Sequence, residues 1–384
     1  MTPHITTSRE QFTVVSIKAS EAVIGLLACL TFIGLVAGLG RLLLGLSAST
    51  ALTDGYPWGI WIGFDFTLIA FSGVGFTMTA IVHIFHLKEY QPALRPAILA
   101  GLLGYSAVLV LLVLDLGRPD RFYNFLIFWN LHSPLFEISW CILLYTTILM
   151  LETCPCLFQR LGYEWPVRLA RKSVVPVSII GVTLSTLHQS TLGTLYLNMP
   201  HRLNALWYTP MLPLLFFISS MMAGLGLAIL TYKVATRVQG KVERSAIVDG
   251  LGQAMVWITI LYLLLKSGDL WIAGQMPALA QDRMGFILML ELIAGALIPV
   301  ALWLIPAVRT HRLGQWMIPL LILAGVMMNR FNATMIAQAL PPGAAYSPHI
   351  IEWLSTIGIL AGVVLVWYLG VRFLVMAEDV ECQS

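Results

Sequence analysis

The chain has 384 residues and a formal net charge of +3 at pH 7; 58% of its residues are hydrophobic and only 11% are charged. This composition, with a mean hydropathy of +0.84, excludes a soluble globular domain and indicates a protein that crosses a membrane several times. The lipid bilayer is the expected surrounding, and the small net charge gives no indication of a nucleic-acid partner.

Ten hydrophobic segments are long enough to cross the roughly 30 Å of hydrocarbon in a bilayer, which takes about 20 helical residues. Only helices and closed barrels satisfy their backbone polar groups in lipid, and continuous apolar runs without a period of two exclude a barrel. The predicted fold is therefore all-α, a polytopic membrane protein of about ten transmembrane helices. The segments cover about residues 21–46, 58–87, 95–114, 134–151, 174–194, 209–232, 247–266, 286–304, 316–336 and 350–375.

The chain contains two halves with a similar pattern. Segments two to five and segments six to nine each begin after a stretch with Tyr and Pro, and the third helix of each half carries a glutamate, Glu137 or Glu291, near the outer end. We interpret the halves as two four-helix bundles of the same direction, flanked by one helix on each side. The predicted domains are a cytoplasmic N-terminal segment (1–20), the first transmembrane helix with an outer loop (21–57), the first four-helix bundle, which holds the candidate site (58–194), the second bundle (195–336), and an outer loop, last transmembrane helix and cytoplasmic tail (337–384).

Basic residues predict the orientation, because Lys and Arg accumulate in cytoplasmic loops. The N-terminal segment, the even-numbered loops and the C-terminal segment carry most of them, for example Arg168, Lys172, Arg309 and Arg312, whereas the odd-numbered loops carry few. We therefore expect a multi-pass protein of the cytoplasmic (inner) membrane with both termini in the cytoplasm. In a Gram-negative bacterium its outer face would meet the periplasm.

Four consecutive hydrophobic segments carry an ionisable side chain near the outer face: Asp65, Asp115, Glu137 and His188. A charge inside the hydrocarbon costs about 3 kcal/mol or more, so it usually faces a bundle interior and has a function. Helical rise places these groups in one layer, and Arg118 can reach back to Asp115 from the rim. Such a layer supplies donors, acceptors and a group that titrates near neutral pH, as two-electron, two-proton quinone chemistry requires. We predict that these five residues bind a quinone, menaquinone or ubiquinone, as substrate.

Each of these residues also has a structural interpretation. Asp65 or Asp115 can pair with Arg118 and stabilise packing, Glu137 can complement the dipole of a helix start, and His188 can be a hydrogen-bonded packing residue. The sequence leaves both interpretations open.

A proton route from this layer toward the opposite face is also indicated. Tyr105 lies in the middle of the third segment, and His83 and His86 lie one turn apart near the cytoplasmic end of the second. The expected route is Glu137, Tyr105 and then water toward the two histidines. The alternatives are that Tyr105 only packs and that the histidines extend to the interface.

The second bundle carries its own ionisable residues. We interpret them as an internally neutralised charge network without substrate chemistry. They are Lys266, Asp269, Glu291 and Arg330.

The cysteines indicate which cofactors to expect. Their spacing fits neither an iron–sulfur cluster nor covalently attached haem. A dihaem b-type cytochrome would need histidines on facing helices, whereas only His188 lies well inside a segment. We therefore expect no metal site, no haem and no iron–sulfur cluster in this chain.

Several short motifs carry a family resemblance through their order and spacing. They are Tyr56-Pro57-Trp58-Gly59-Ile60-Trp61-Ile62-Gly63-Phe64-Asp65, Gly104-Tyr105-Ser106, Asp115-Leu116-Gly117-Arg118, Ser133-Pro134-Leu135-Phe136-Glu137 and His188-Gln189-Ser190-Thr191-Leu192-Gly193. On these motifs the chain resembles the NrfD/polysulfide-reductase family of membrane subunits, and within it the HybB-type subunits of periplasmic NiFe-hydrogenases.

The resemblance implies a cofactor-free, quinone-reactive subunit. Its outer face would dock a ferredoxin-like iron–sulfur subunit and, beyond it, the large and small subunits of a NiFe-hydrogenase. In the family, Tyr105, Glu137 and His188 match positions tied to quinone binding or proton transfer. Aromatic residues of the outer loops suit such docking, although interfacial aromatic belts look the same. These residues are Tyr123, Trp129, Trp207, Tyr208 and Tyr346.

Two alternative functions remain at this point. The partner could instead be a formate dehydrogenase or a reductase of a sulfur or nitrogen compound. A protein of another class, a proton-coupled transporter, would also use two parallel bundles with buried charges.

Overall fold

A computed structural model describes residues 7–341 and 343–374, without the side chains of residues 7–20, 156, 160 and 171. The described chain is helical, and its only strand-like pairings are two isolated bridges, Thr53 with Tyr56 and Leu203 with Gln338. The all-α prediction is confirmed. Ten long helices account for the fold: α1 (Thr7–Leu44), α2 (Ile60–Ile84), α3 (Lys88–Asp115), α4 (Pro134–Arg160), α5 (Glu164–Leu197), α6 (Leu212–Val238), α7 (Ser245–Ile272), α8 (Arg283–Leu304), α9 (Gly314–Ile336) and α10 (Ile350–Phe373).

Within the described ranges, nine of these helices contain a window long and apolar enough to span a membrane. The tenth, α5, falls below the others in mean hydropathy because of its polar run Ser185-Thr186-Leu187-His188-Gln189-Ser190-Thr191. The protein is thus a multi-pass membrane protein, as its composition predicts. The polar run that weakens α5 as a spanning segment also supplies the central residue of the site.

The ends of several helices lie beyond the predicted segments. α1 begins at Thr7 rather than near residue 21, α4 continues to Arg160, and α5 begins at Glu164 rather than near residue 174. A hydropathy window detects only the apolar part of a helix. The more polar turns at the ends of these three helices therefore lie outside the predicted segments. Residues 1–6 of the predicted N-terminal segment and residues 375–384 of the predicted tail lie outside the described residues.

α1 and α10 pack closely against each other. A Cβ added at Gly34 of α1 would lie 2.4 Å from Cα of Gly358 on α10, and one added at Gly358 would lie 2.3 Å from Cα of Gly34. Without hydrophobic force between helices in lipid, such small residues let two backbones approach and gain dispersion contacts. The two flanking helices of the sequence prediction therefore form a pair.

α6 lies centrally and packs against helices of both predicted bundles, namely α2, α3, α5, α7 and α9. Its Gly224 meets α2 at Gly73, where an added Cβ would approach the Gly73 carbonyl oxygen to 3.0 Å. The division into bundles 58–194 and 195–336 stays a prediction.

Three helices contain a π-helical turn: Ala80–Ile84 at the end of α2, Ile293–Leu297 inside α8, and Asn332–Ile336 at the end of α9. Such turns rotate the side chains that follow and are frequent at functional sites. Here they lie beside His83, Glu291 and Asn332.

Candidate functional site

His188 and Tyr105 form the centre of the candidate site. The Tyr105 hydroxyl lies 3.0 Å from His188 Nδ1, and the ring centroids are 5.5 Å apart. Both side chains are completely buried between α3 and α5. Gly104, beside Tyr105, permits the close approach of α2, since a Cβ there would lie 2.1 Å from Ser72 Oγ.

The contact restricts the protonation of the imidazole. When the tyrosine hydroxyl donates to Nδ1, the neutral ring carries its proton on Nε2, an assignment that follows from the hydrogen-bond network. His188 Nε2 is buried and has no hydrogen-bond partner among the described residues. In this tautomer the ring presents a free N–H donor at Nε2.

Further buried polar atoms surround this pair without a partner in the described part of the chain. Ser185 and Gln189 of α5 and Asp65 of α2 interact with Tyr105, and the Tyr145 ring of α4 packs edge-on against Tyr105 at 5.0 Å. Most buried polar atoms in proteins are hydrogen-bonded, so a cluster of exceptions indicates a place for water or a polar ligand. The atoms are Asp65 Oδ1, Ser72 Oγ, Tyr145 OH, Ser185 Oγ, His188 Nε2 and Gln189 Oε1.

Gln189 fixes the orientation of this polar face. Its Nε2 donates to the backbone carbonyl of Ile69 on α2 at 2.7 Å, between fully buried groups. α5 is thereby held in register against α2, and the amide oxygen is left facing the polar cluster.

Asp65 and Asp115 interact electrostatically, and Asp115 also interacts with Arg41 of α1. Arg41 is buried, 1% exposed, and its Nη2 donates to the Leu116 carbonyl at 2.6 Å.

The predicted contact of Arg118 with Asp115 is wrong. Arg118 is 65% exposed and binds both carboxylate oxygens of Asp120, at 3.0 and 2.9 Å. The chain leaves the helix at Leu116 and makes a 3-10 turn at Pro119–Arg121, which puts Asp120 beside the guanidinium instead. A role for Arg118 in quinone binding stays a prediction without this contact.

Glu137 lies at the edge of the site rather than inside it. Its side chain is exposed in the first turn of α4, and its Oε1 accepts a hydrogen bond from Thr191 Oγ1 of α5 at 2.7 Å. One turn along α4, Cys141 interacts with both Glu137 and Tyr105. Glu137 is thus connected to the His188 group through neighbouring side chains while remaining accessible.

His83 and His86 lie on the opposite side of Tyr105, in the wall of a cleft of about 950 Å³. The cleft lies among the end of α2, the beginning of α3, the end of α4 and the beginning of α5. His83 is half-buried and His86 is exposed. Neither approaches Tyr105 directly, so the predicted water segment of the route would have to cross the bundle between them.

The four ionisable residues of the second bundle are brought together. Lys266 Nζ lies 3.6 Å from Asp269 Oδ2 and donates to the Leu206 carbonyl at 2.8 Å. Arg330 donates to Asn329 Oδ1 at 2.6 Å and to Ser219 Oγ at 2.9 Å.

Glu291 accepts three hydrogen bonds, and all come from neutral side chains. The donors are Trp207 Nε1 at 3.0 Å, Asn329 Nδ2 at 2.8 Å and Asn332 Nδ2 at 2.6 Å. Asn329 therefore links Glu291 to Arg330. The cavity beside them measures only about 10 Å³, which is room for about one water molecule. This geometry fits a structural network better than a substrate site.

The aromatic residues proposed for docking fall into two groups. Tyr123 and Trp129 are exposed, 45% and 64%, in the loop between α3 and α4. Trp207 is buried and donates to Glu291, so it serves the interior instead. Tyr208 and Tyr346 are half-buried, and the Tyr346 hydroxyl donates to Glu352 at 2.6 Å.

Sequence reasoning missed Arg41, Tyr145 and Glu152. Arg41 lies near the end of the apolar first transmembrane segment, and a lone cation there was a usable signal. Tyr145 resembles any packing tyrosine. Glu152 lies just past the predicted end of the fourth segment, and no pattern in the sequence distinguishes it.

Comparison with known proteins gives a family match over most of the chain. The family described as polysulphide reductase, NrfD, matches residues 48–342. A protein of Nitratidesulfovibrio vulgaris is 34% identical over 358 residues, covering 90% of this chain and 92% of the relative.

Two further relatives carry descriptive names. The chain is 30% identical over 342 residues to the probable Ni/Fe-hydrogenase 2 b-type cytochrome subunit of Escherichia coli, covering 87% of each. It is 28% identical over 353 residues to the menaquinone reductase integral membrane subunit of Nitratidesulfovibrio vulgaris, covering 85% of this chain and 84% of the relative.

Proposed function

Because the chain belongs to the NrfD family of membrane subunits, we propose that it is the quinone-reactive subunit of a respiratory oxidoreductase complex. It would exchange electrons between an iron–sulfur partner and the membrane quinone pool. Each turnover balances as one quinone plus two electrons and two protons giving one quinol, or the reverse. The chain is not catalytic alone, since the partner supplies or accepts the electrons.

One observation carries this proposal: His188 presents a buried, unpartnered Nε2 among other unpartnered polar atoms. A quinone carbonyl oxygen accepts the hydrogen bond that this N–H offers, and the Tyr105 hydroxyl behind the ring holds its tautomer. Asp65 and Asp115 would assist from α2 and α3, with Arg41 balancing their charge.

The menaquinone reductase relative supports a menaquinone substrate, and ubiquinone would make the same carbonyl contacts. The Escherichia coli relative supports hydrogenase large and small subunits as the catalytic partners. A formate dehydrogenase or a reductase of a sulfur or nitrogen compound would use the same membrane subunit chemistry.

We place a ferredoxin-like iron–sulfur partner on the outer, periplasmic face, with the protein in the inner membrane and both termini in the cytoplasm. The loop between α3 and α4 offers a docking surface there, because it exposes several large apolar side chains close to the site. They are Phe122, Tyr123, Ile127, Phe128, Trp129 and Leu131.

The proposal is tested by purifying the chain with its natural partners from membranes. We expect an iron–sulfur protein to copurify and the complex to reduce or oxidise a soluble menaquinone analogue. A b-type haem signal in the reduced-minus-oxidised spectrum of this chain, or solute transport without quinone turnover, would contradict it.

A further inference from the structure

The cleft on the predicted cytoplasmic side has an unusual lining. Four basic side chains line it, and apolar side chains of α3, α4 and α5 form the rest of its walls. Among the described lining residues, the acidic one is Glu152 of α4. At about 950 Å³ the cleft has room for many water molecules. The basic residues are His83, His86, Lys88 and Arg95.

Each carboxylate oxygen of Glu152 accepts a hydrogen bond, and the side chain also lines the cleft. Its Oε2 accepts from Thr79 Oγ1 of α2 and its Oε1 from Ser178 Oγ of α5, each at 3.4 Å. These bonds are long and come from neutral hydroxyls, so the carboxyl group has no cation fixed to it within salt-bridge distance among the described residues. A carboxyl group in this setting can take up and release a proton without breaking an ion pair.

Tyr145 lies two turns back from Glu152 on the same face of α4, and the two side chains interact electrostatically. The Tyr145 hydroxyl is buried and unpartnered in the described structure. Its ring packs against Tyr105, whose hydroxyl bonds His188. Ser185 of α5 interacts with both tyrosines. Glu152, Tyr145, Ser185 and Tyr105 therefore follow one another as polar side chains between the cleft and the site.

We propose that Glu152 takes up protons from water in the cleft and passes them by way of Tyr145 to the Tyr105–His188 pair. This rests on the proposed quinone function. For each quinone reduced by two electrons from the iron–sulfur partner, two protons pass through Glu152, which is reprotonated from the cleft after each transfer. For quinol oxidation the two protons leave by the same groups. A tyrosine hydroxyl relays by giving its proton forward as it accepts another.

The proposal changes the route expected from the sequence. His83 and His86 become residues of the cleft mouth, together with Lys88 and Arg95, rather than direct neighbours of Tyr105. Glu137, exposed at the opposite end, keeps its expected place at the quinone end of the route.

The test compares three variants in the assembled complex, reconstituted into sealed liposomes. Glu152→Gln keeps the shape but cannot carry a proton, Glu152→Asp keeps the acid, and Thr153→Val is the matched control. Thr153 is the next residue of α4, and its hydroxyl only bonds its own helix at Leu149, 2.8 Å away. Assembly is followed by copurification of the partner.

We expect Glu152→Gln to lower kcat for a menaquinone analogue at least about tenfold with KM unchanged, and Glu152→Asp to restore a substantial part of it. Thr153→Val should match the wild type. If Glu152 has only a structural role, Glu152→Gln should instead reduce assembly of the complex or change KM, and Glu152→Asp should not restore kcat.

Wild-type kcat and wild-type charge movement per electron in an assembled Glu152→Gln complex would overturn the inference and leave the quinone function standing. A wild-type complex that shows no quinone turnover would overturn both. The two failures are therefore distinguishable.

Discussion

The Tyr105 hydroxyl lies 3.0 Å from Nδ1 of His188, and this contact joins the third and fifth long helices at a point with no access to solvent. The sequence suggested a proton role for one residue and a quinone role for the other. Their contact means that the two residues act together, because the hydrogen bond to the hydroxyl determines which imidazole nitrogen carries the proton.

Replacing His188 by Ala should abolish quinone-linked electron transfer while the subunit still inserts and assembles. The change removes the Nε2–H donor and one buried ring, whereas the helix itself remains. Quinone turnover and partner copurification are the measurements. Ser190→Ala on the same helix is the control, since its hydroxyl bonds the Thr186 carbonyl at 2.9 Å. Wild-type turnover in an assembled His188→Ala complex would rule out the role.

Tyr105→Phe should slow turnover with little effect on assembly, because the ring packing is kept and only the hydroxyl on His188 is lost. In sealed vesicles we expect wild-type turnover to be electrogenic, with two charges moved per quinone when protons come from the side opposite the electron donor. A potential-sensitive dye measures this. Ser106→Ala is the control, as its hydroxyl bonds the Leu102 carbonyl at 2.8 Å. Electroneutral turnover in tight wild-type vesicles would leave the inward route without support.

Glu137→Gln should separate proton delivery from quinone binding. The amide oxygen can still accept from Thr191, but the titrating group is gone, so quinone affinity should change little. Turnover should fall at least about tenfold, roughly 1.4 kcal/mol in the barrier. Steady-state kinetics distinguish the two, with Ser139→Ala of the same helix as control. If affinity falls and turnover at saturation does not, Glu137 is a ligand contact.

Glu291→Gln should destabilise the protein even though it removes a buried charge. Glu291 accepts from three N–H donors, and an amide NH₂ in that position would face at least one of them. An unsatisfied buried donor costs about 1–3 kcal/mol. The melting temperature in detergent should fall, whereas Glu164→Gln at the exposed start of α5 should leave it unchanged. An unchanged melting temperature for both variants would contradict the acceptor-only role of this carboxylate.

Gly34→Leu should weaken the pair formed by α1 and α10. A Cβ at this position lies 2.4 Å from the Gly358 backbone, so the helices must separate. Overpacking of this kind costs about 1–3 kcal/mol. Gly25→Leu on the same helix is the matched control, because nothing lies within 4 Å of its added Cβ. Thermal stability in detergent is the measurement, and equal stability of the two variants would disprove the tight crossing.

The helices and the depth of the first site could be predicted because both depend on local quantities. An apolar run has a fixed minimum length in lipid, and helical rise converts sequence position to depth. This arithmetic placed His188 in a layer near the outer face and Tyr105 in the middle of its segment, and the structure joins the two side chains. It placed Glu137 at the correct end of its helix but could not show that its side chain is exposed.

The remaining errors came from contacts that the pattern of a single segment does not show. Arg118 turned to Asp120 because the backbone leaves the helix at Leu116, and no periodicity reports that change. Arg41 became the partner of the acidic group because α1 packs there, which a single-segment interpretation cannot show. Trp207 moved from the docking surface to the interior because it bonds Glu291, a residue 84 positions away.

The crossing of Gly34 with Gly358 also has a consequence for biogenesis. α1 packs mainly on α10, and only 6% of its spanning window is buried. Because α1 is the first of the ten long helices, it leaves the ribosome long before α10 is made. It stays in the bilayer while the eight helices between them are inserted. Closure of this pair is a late step of membrane assembly, whereas the contact of Arg41 with the Leu116 carbonyl joins α1 to α3, which is made early. Crosslinking in stalled nascent chains, between cysteines placed on α1 and α10 about one turn away from the two glycines, measures when this step occurs. A crosslink formed only after α10 has left the ribosome is the expected result.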